Sequence, residues 1–138
     1  MVEPTEIIQR VFENKKEILR STHRIIELTA VGPKFIEKEG DIKQIKKEIN
    51  TILSCLSELK YYAPFFEKDR FPEIIKSGFF IIALLDSGLA IPILLNAFCC
   101  AVNSVEIKPT RRSVKVVVGA DLGRLKTLIS KEESNFRF

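Results

Sequence analysis

The side chains best placed to do chemistry lie near the C-terminus: Lys108 and Lys115, with Arg111 and Arg112 between them. The linking run Pro109-Thr110-Arg111-Arg112 has turn composition, and both flanks alternate apolar and polar residues. This pattern predicts a β-hairpin that lifts two arginines to its tip. A guanidinium grips a phosphate bidentately and an ammonium holds it as a point charge, so such a hairpin suits contact with a phosphate backbone. The same charges also suit a solvated turn that discourages edge-to-edge sheet pairing. Net charge is +4 over 138 residues. Residues 1–60 and 61–103 are nearly balanced, whereas residues 104–138 carry eight Lys/Arg against four Asp/Glu. The basic excess therefore sits with the hairpin, where it favours an acidic or polyanionic partner.

Other reactive groups are sparse. His23 is the only histidine, so no paired-histidine metal site or serine–histidine–acid arrangement is expected. Cys55, Cys99 and Cys100 are odd in number, two of them adjacent in an apolar run, and read as small buried hydrophobes instead of a disulfide framework. Carboxylates are numerous but fall on what read as solvated helix faces. Gly119-Ala-Asp-Leu-Gly123 lacks the spacing of a phosphate-binding glycine loop. A binding or assembly role is expected over an enzyme, with no metal and no cofactor. The run Tyr61–Phe71 places five aromatics near Lys60, Lys68 and Arg70, which suits either base stacking or a loop stapled to the core.

The elements that must position these groups are mainly helical. Residues 5–30 predict a long amphipathic helix, started by Pro4 and Thr5, with apolar pairs Val11/Phe12, Ile18/Leu19 and Ile25/Ile26 every seven residues. Val31-Gly32-Pro33 breaks it. After a charged connector, Asp41 is expected to cap a second helix whose apolar positions Ile42, Ile45, Ile49, Ile52, Leu56, Leu59 and Ala63 follow a heptad seam. That seam suits antiparallel packing on the first helix, or self-association through Ile42, Ile45, Ile49, Ile52 and Leu56.

The most apolar stretch, Pro72–Val105, has Asp86 as its one formal charge between Gly78 and Val102. It suits a kinked membrane span over 78–102 or a pair of buried helices. Asp86, Ser87, Gly88 and Pro92 at its middle favour the pair, about 73–86 and 90–103, each too short to span alone. A pocket around Asp86 as a buried charge is a further alternative. The period then changes to strands bearing Val105 and Ile107, and Val114, Val116 and Val118. Asp121 is expected to cap a last helix over Leu122–Glu133. The expected fold is mainly α: a helical bundle with a buried helical hairpin and a small C-terminal β-hairpin (α+β). It forms one domain over 1–138, with a helical body at 1–103, the β-hairpin at 104–120, and a C-terminal helix and tail at 121–138. Met1–Arg10 is polar, so no secretory signal is expected and the predicted compartment is the cytoplasm.

The run RVFENKKEILRSTHRIIELTAVGPKFIEKEGD, and the apolar hairpin leading into SVKVVVG, resemble the small subunit of archaeal type I-A CRISPR effector (Cascade) complexes over about residues 5–120. The resemblance implies a helical, non-catalytic subunit that sits beside the other subunits of an effector complex. It also implies assistance in binding CRISPR RNA or target DNA in antiviral defence. Lys108, Arg111, Arg112 and Lys115 are candidates for that contact on the charge argument, not from a family motif. A small membrane-associated or protein-interaction module unrelated to nucleic acid is the alternative reading.

Overall fold

A computed structural model describes residues 3–29, 39–65, 70–86, 92–109 and 114–136. The elements run α1 (Pro4–Thr29), α2 (Glu39–Tyr62), a 3-10 turn (Ala63–Phe65), α3 (Phe71–Asp86), α4 (Pro92–Asn103), β1 (Glu106–Pro109), β2 (Val114–Val117) and α5 (Asp121–Phe136). This is the helical bundle with a C-terminal β-hairpin that the periodicities predict. Helix α2 begins at Glu39, so Asp41 falls within its first turn and not at the position ahead of it. Pro92 opens α4, where its missing N–H costs nothing.

Helices α1 and α2 pack antiparallel. Arg10 of α1 meets Glu58 of α2, and Arg20 meets Glu48, so one helix climbs as the other descends. The buried face of α1 is Ile7, Val11, Asn14, Ile18, Ser21 and Ile25, alternating steps of four and three. Only the first member of each predicted apolar pair is buried. Val11, Ile18 and Ile25 are at most 1% exposed, whereas Phe12 is 54% exposed. Small polar residues complete the face where α1 passes α4. Thr22 and Ser21 are fully buried, and Thr22 satisfies its hydroxyl by donating to the Ile18 carbonyl at 2.7 Å.

The α2 seam is spent inside the chain. Ile49, Ile52, Leu56 and Leu59 are buried in the core, while Ile42 and Ile45 are half-buried. Self-association through Ile49, Ile52 and Leu56 is therefore closed off, because α1 and α3 already cover them. The apolar stretch divides into α3 and α4, of 16 and 12 residues. Among the described residues no helix is long and apolar enough to cross a membrane. Asp86 ends α3 exposed to solvent, so it is not the buried charge of a pocket. Ser87, Gly88 and the turn they were expected to form lie outside the described residues.

Two ion-pair networks tie α1 to α2. Arg10 donates to both carboxylate oxygens of Glu58 at 2.5 Å, and to Glu13 at 2.7 Å. That bidentate contact holds the Glu58 carboxyl below the usual carboxylate range. A carboxylate whose folded pKa is lowered contributes stability that is present above its unfolded pKa and is lost as pH falls through the folded one. Glu58→Gln is accordingly expected to melt below the wild type at neutral pH, with the gap closing as pH drops below the carboxylate range. Thermal melts across pH check this; a gap that stays constant with pH would remove the ionic contribution.

The second network was not legible in sequence. Glu48 is 3% exposed, accepts from the Gln44 side-chain amide at 2.9 Å, and lies 3.7 Å from an Arg20 guanidinium nitrogen. Glu17 braces the other side of Arg20 at 3.1 Å. Burial pushes the thiols of Cys55 and Cys99 up to about 11, which keeps both protonated and packed as hydrophobes, whereas Cys100 is exposed.

Candidate nucleic-acid interface

The hairpin is aimed from its root. Ser104 donates to the Ala101 carbonyl at 2.7 Å and accepts from the Gly119 N–H at 3.3 Å, joining the start of β1 to the end of β2. A Cβ on Gly119 would meet the Ser104 Cβ at 3.2 Å, so a glycine permits this closure. Helix α1 grips the same place. The Lys15 ammonium donates to the carbonyls of Asn103 at 3.1 Å and Val105 at 3.0 Å. These are carbonyls left without helical partners where α4 ends, and a cation satisfies them well.

Strands β1 and β2 pair antiparallel, with Glu106 opposite Val117, Ile107 opposite Val116, Lys108 opposite Lys115 and Pro109 opposite Val114. Strand alternation then sorts the side chains. Val105, Val114 and Val116 are buried on the face toward the helices, with Ile107 half-buried beside them. Glu106, Lys108 and Lys115 share the solvent face. Two of the four predicted residues are thus brought together: Lys108 and Lys115 are direct cross-strand neighbours. Their like charges oppose each other across the ladder, an arrangement that costs stability. Glu106, two residues from Lys108 on the same face, offsets part of that cost through an ion pair at 3.7 Å, with both side chains about two-thirds exposed. Lys115 makes no ion pair with the described residues. Arg111 and Arg112 lie outside the described residues, between the ends of the two strands.

Sequence reading found this face through charge but missed Glu106 and Lys15. The Glu106 pairing was legible in principle from period-2 spacing, since residues 106 and 108 must share a face. The role of Lys15 depends on a contact 90 residues away in sequence and had no local signal. In the aromatic run, Tyr61 is 65% exposed, whereas Tyr62 and Phe71 are buried. Among the described residues the run packs on the core through Tyr62 and Phe71, and Phe66 and Lys68 lie outside them. Among the described residues no group of three or more His, Cys, Asp or Glu side chains could hold a metal ion. Comparison with protein families, curated proteins and solved structures finds no match to this chain.

Proposed function

We propose that this chain is a non-catalytic nucleic-acid-binding subunit. It contacts the phosphate backbone through the solvent face of its β-hairpin and docks beside other subunits of a larger complex. The observation that carries the reading is the direct opposition of Lys108 and Lys115 on the exposed face of the strand pair, with one acid, Glu106, beside Lys108. A fold gains nothing internally from that arrangement, whereas an anion seated between the two ammonium groups relieves it. Arg111 and Arg112, between the two strands in sequence, extend the same basic segment. On the resemblance noted above, the polyanion is CRISPR RNA or target DNA and the complex is a type I-A surveillance complex of antiviral defence.

The test is a salt-dependent binding titration with labelled single-stranded RNA, single-stranded DNA and duplex DNA. Each lysine that neutralises a phosphate contributes about 0.7 to the log–log salt slope on single strands. Lys108→Gln/Lys115→Gln is expected to lower that slope by about 1.4, and Arg111→Ala/Arg112→Ala to lower it further. A slope unchanged in both variants would take the hairpin off the nucleic acid.

A further inference from the structure

We infer that the outward face of α2, built on Lys43, Lys46 and Lys47, is a second and separate track for a nucleic-acid phosphate backbone. The inference rests on the nucleic-acid reading above but uses none of the hairpin residues.

Helices α1 and α2 treat their cations in opposite ways. Every lysine and arginine of α1 has a partner: Arg10 with Glu13 and Glu58, Arg20 with Glu17 and Glu48, Arg24 with Glu27. Lys15 is spent on backbone carbonyls, and Lys16 lies over the Phe12 ring at 5.8 Å. On α2, Lys43, Lys46 and Lys47 are exposed, and none makes an ion pair with the described residues. Glu48 follows Lys47 directly, yet its carboxylate is buried on the opposite side, between Gln44 and Arg20.

The three lysines sit at i, i+3 and i+4, a spacing at which like charges destabilise a helix, and no acid among the described residues pairs with them. They continue into Asn50, Thr51 and Ser54. Together these six residues line a shallow trough of about 500 Å³. At about 1.5 Å per residue the stripe runs roughly 16 Å along the helix. The trough offers cations at one end and the neutral donors of Asn50 and Ser54 at the other, while the Thr51 hydroxyl donates to the Lys47 carbonyl at 3.1 Å.

This chemistry fits a phosphate chain better than a lipid surface. A helix that lies on a membrane needs an apolar face to insert. The apolar face of α2, at Ile49, Ile52, Leu56 and Leu59, is already buried in the core. No large hydrophobic side chain lines the trough.

The experiment compares the full chain with Lys43→Gln/Lys46→Gln/Lys47→Gln, with the Lys→Arg triple, and with Lys108→Gln/Lys115→Gln. Labelled single-stranded RNA is titrated at several salt concentrations, and helicity is checked by circular dichroism. The α2 glutamine triple is expected to lower the salt slope by about 2. The arginine triple is expected to retain the wild-type slope, because charge and not shape is at issue. A glutamine triple that is folded and keeps the wild-type slope overturns the inference, even if the hairpin variant loses binding and sustains its own reading. A triple that loses slope while the hairpin variant does not supports the α2 track and takes Lys108 and Lys115 off the nucleic acid. Binding of wild type to anionic phosphatidylglycerol vesicles, abolished by the triple and accompanied by no salt-dependent RNA binding, overturns it in favour of a membrane.

Discussion

Phe98→Ala is expected to lower the unfolding free energy by about 3–5 kcal/mol, the range for deleting a large buried aromatic. Phe98 is 2% exposed and is among the largest buried side chains of the described residues. It projects from α4 toward α3, where its ring tip lies 3.0 Å from the position a Cβ would take on Gly78. Helices here hold one another in place, so the void cannot close without moving α4 against α1 and α5. Domains have total stabilities of about 5–15 kcal/mol, which makes this loss a large share. Urea unfolding should show a lower midpoint at similar m-value. A loss under about 1 kcal/mol would mean that the core collapses around the site, and that α4 is less firmly placed than its burial implies.

Gly78→Val is expected to cost a similar amount for the opposite reason. A Cβ at Gly78 would stand 2.8 and 2.9 Å from the two Leu56 methyls as well as near Phe98. Leu56 is fully buried, so its methyls have little space to rotate into. Overpacking of this kind costs about 1–3 kcal/mol and sometimes more. The β-branch adds two further methyls to the same space. Gly78→Ala tests the balance more finely. It gains about 1 kcal/mol of helix propensity against a single methyl's overlap. In a Phe98→Leu background that overlap is partly relieved, so the two substitutions should be non-additive, with the double variant more stable than the sum of the singles predicts. Strict additivity in denaturant melts would show that the three side chains do not share one space.

Much of this architecture was legible because it depends on local patterns. Heptad spacing marked α1 and α2, Pro92 marked the start of α4, and the change to period 2 marked the hairpin. What was not legible depends on which neighbours each helix has. Helix α1 packs against α2 on one side and α4 on another. Its buried face is therefore wide enough to need Asn14, Ser21 and Thr22, while Phe12, at the far margin, is left in solvent. Glu48 looked like one more carboxylate on a solvated face, and only the position of Arg20 on a separate helix turns it inward. Gly78 sat unremarked inside an apolar run, because a close approach of three helices leaves no trace in periodicity. At the candidate interface, charge alone located Lys108 and Lys115, and register made them neighbours. The acid that moderates them followed from the same alternation.

The attachment of Lys15 to two backbone carbonyls has a consequence for how the molecule comes apart. Carbonyl oxygens do not titrate, whereas the tie from Arg10 to α2 runs through the Glu58 carboxylate, which does. Acid therefore acts unevenly on the two sides of the first helix. It removes the Arg10–Glu58 tie on the α2 side and leaves the hairpin side fastened as before. Loosening by acid is therefore expected first at the seam between the two long helices, with the basic strands still carried on their original mount.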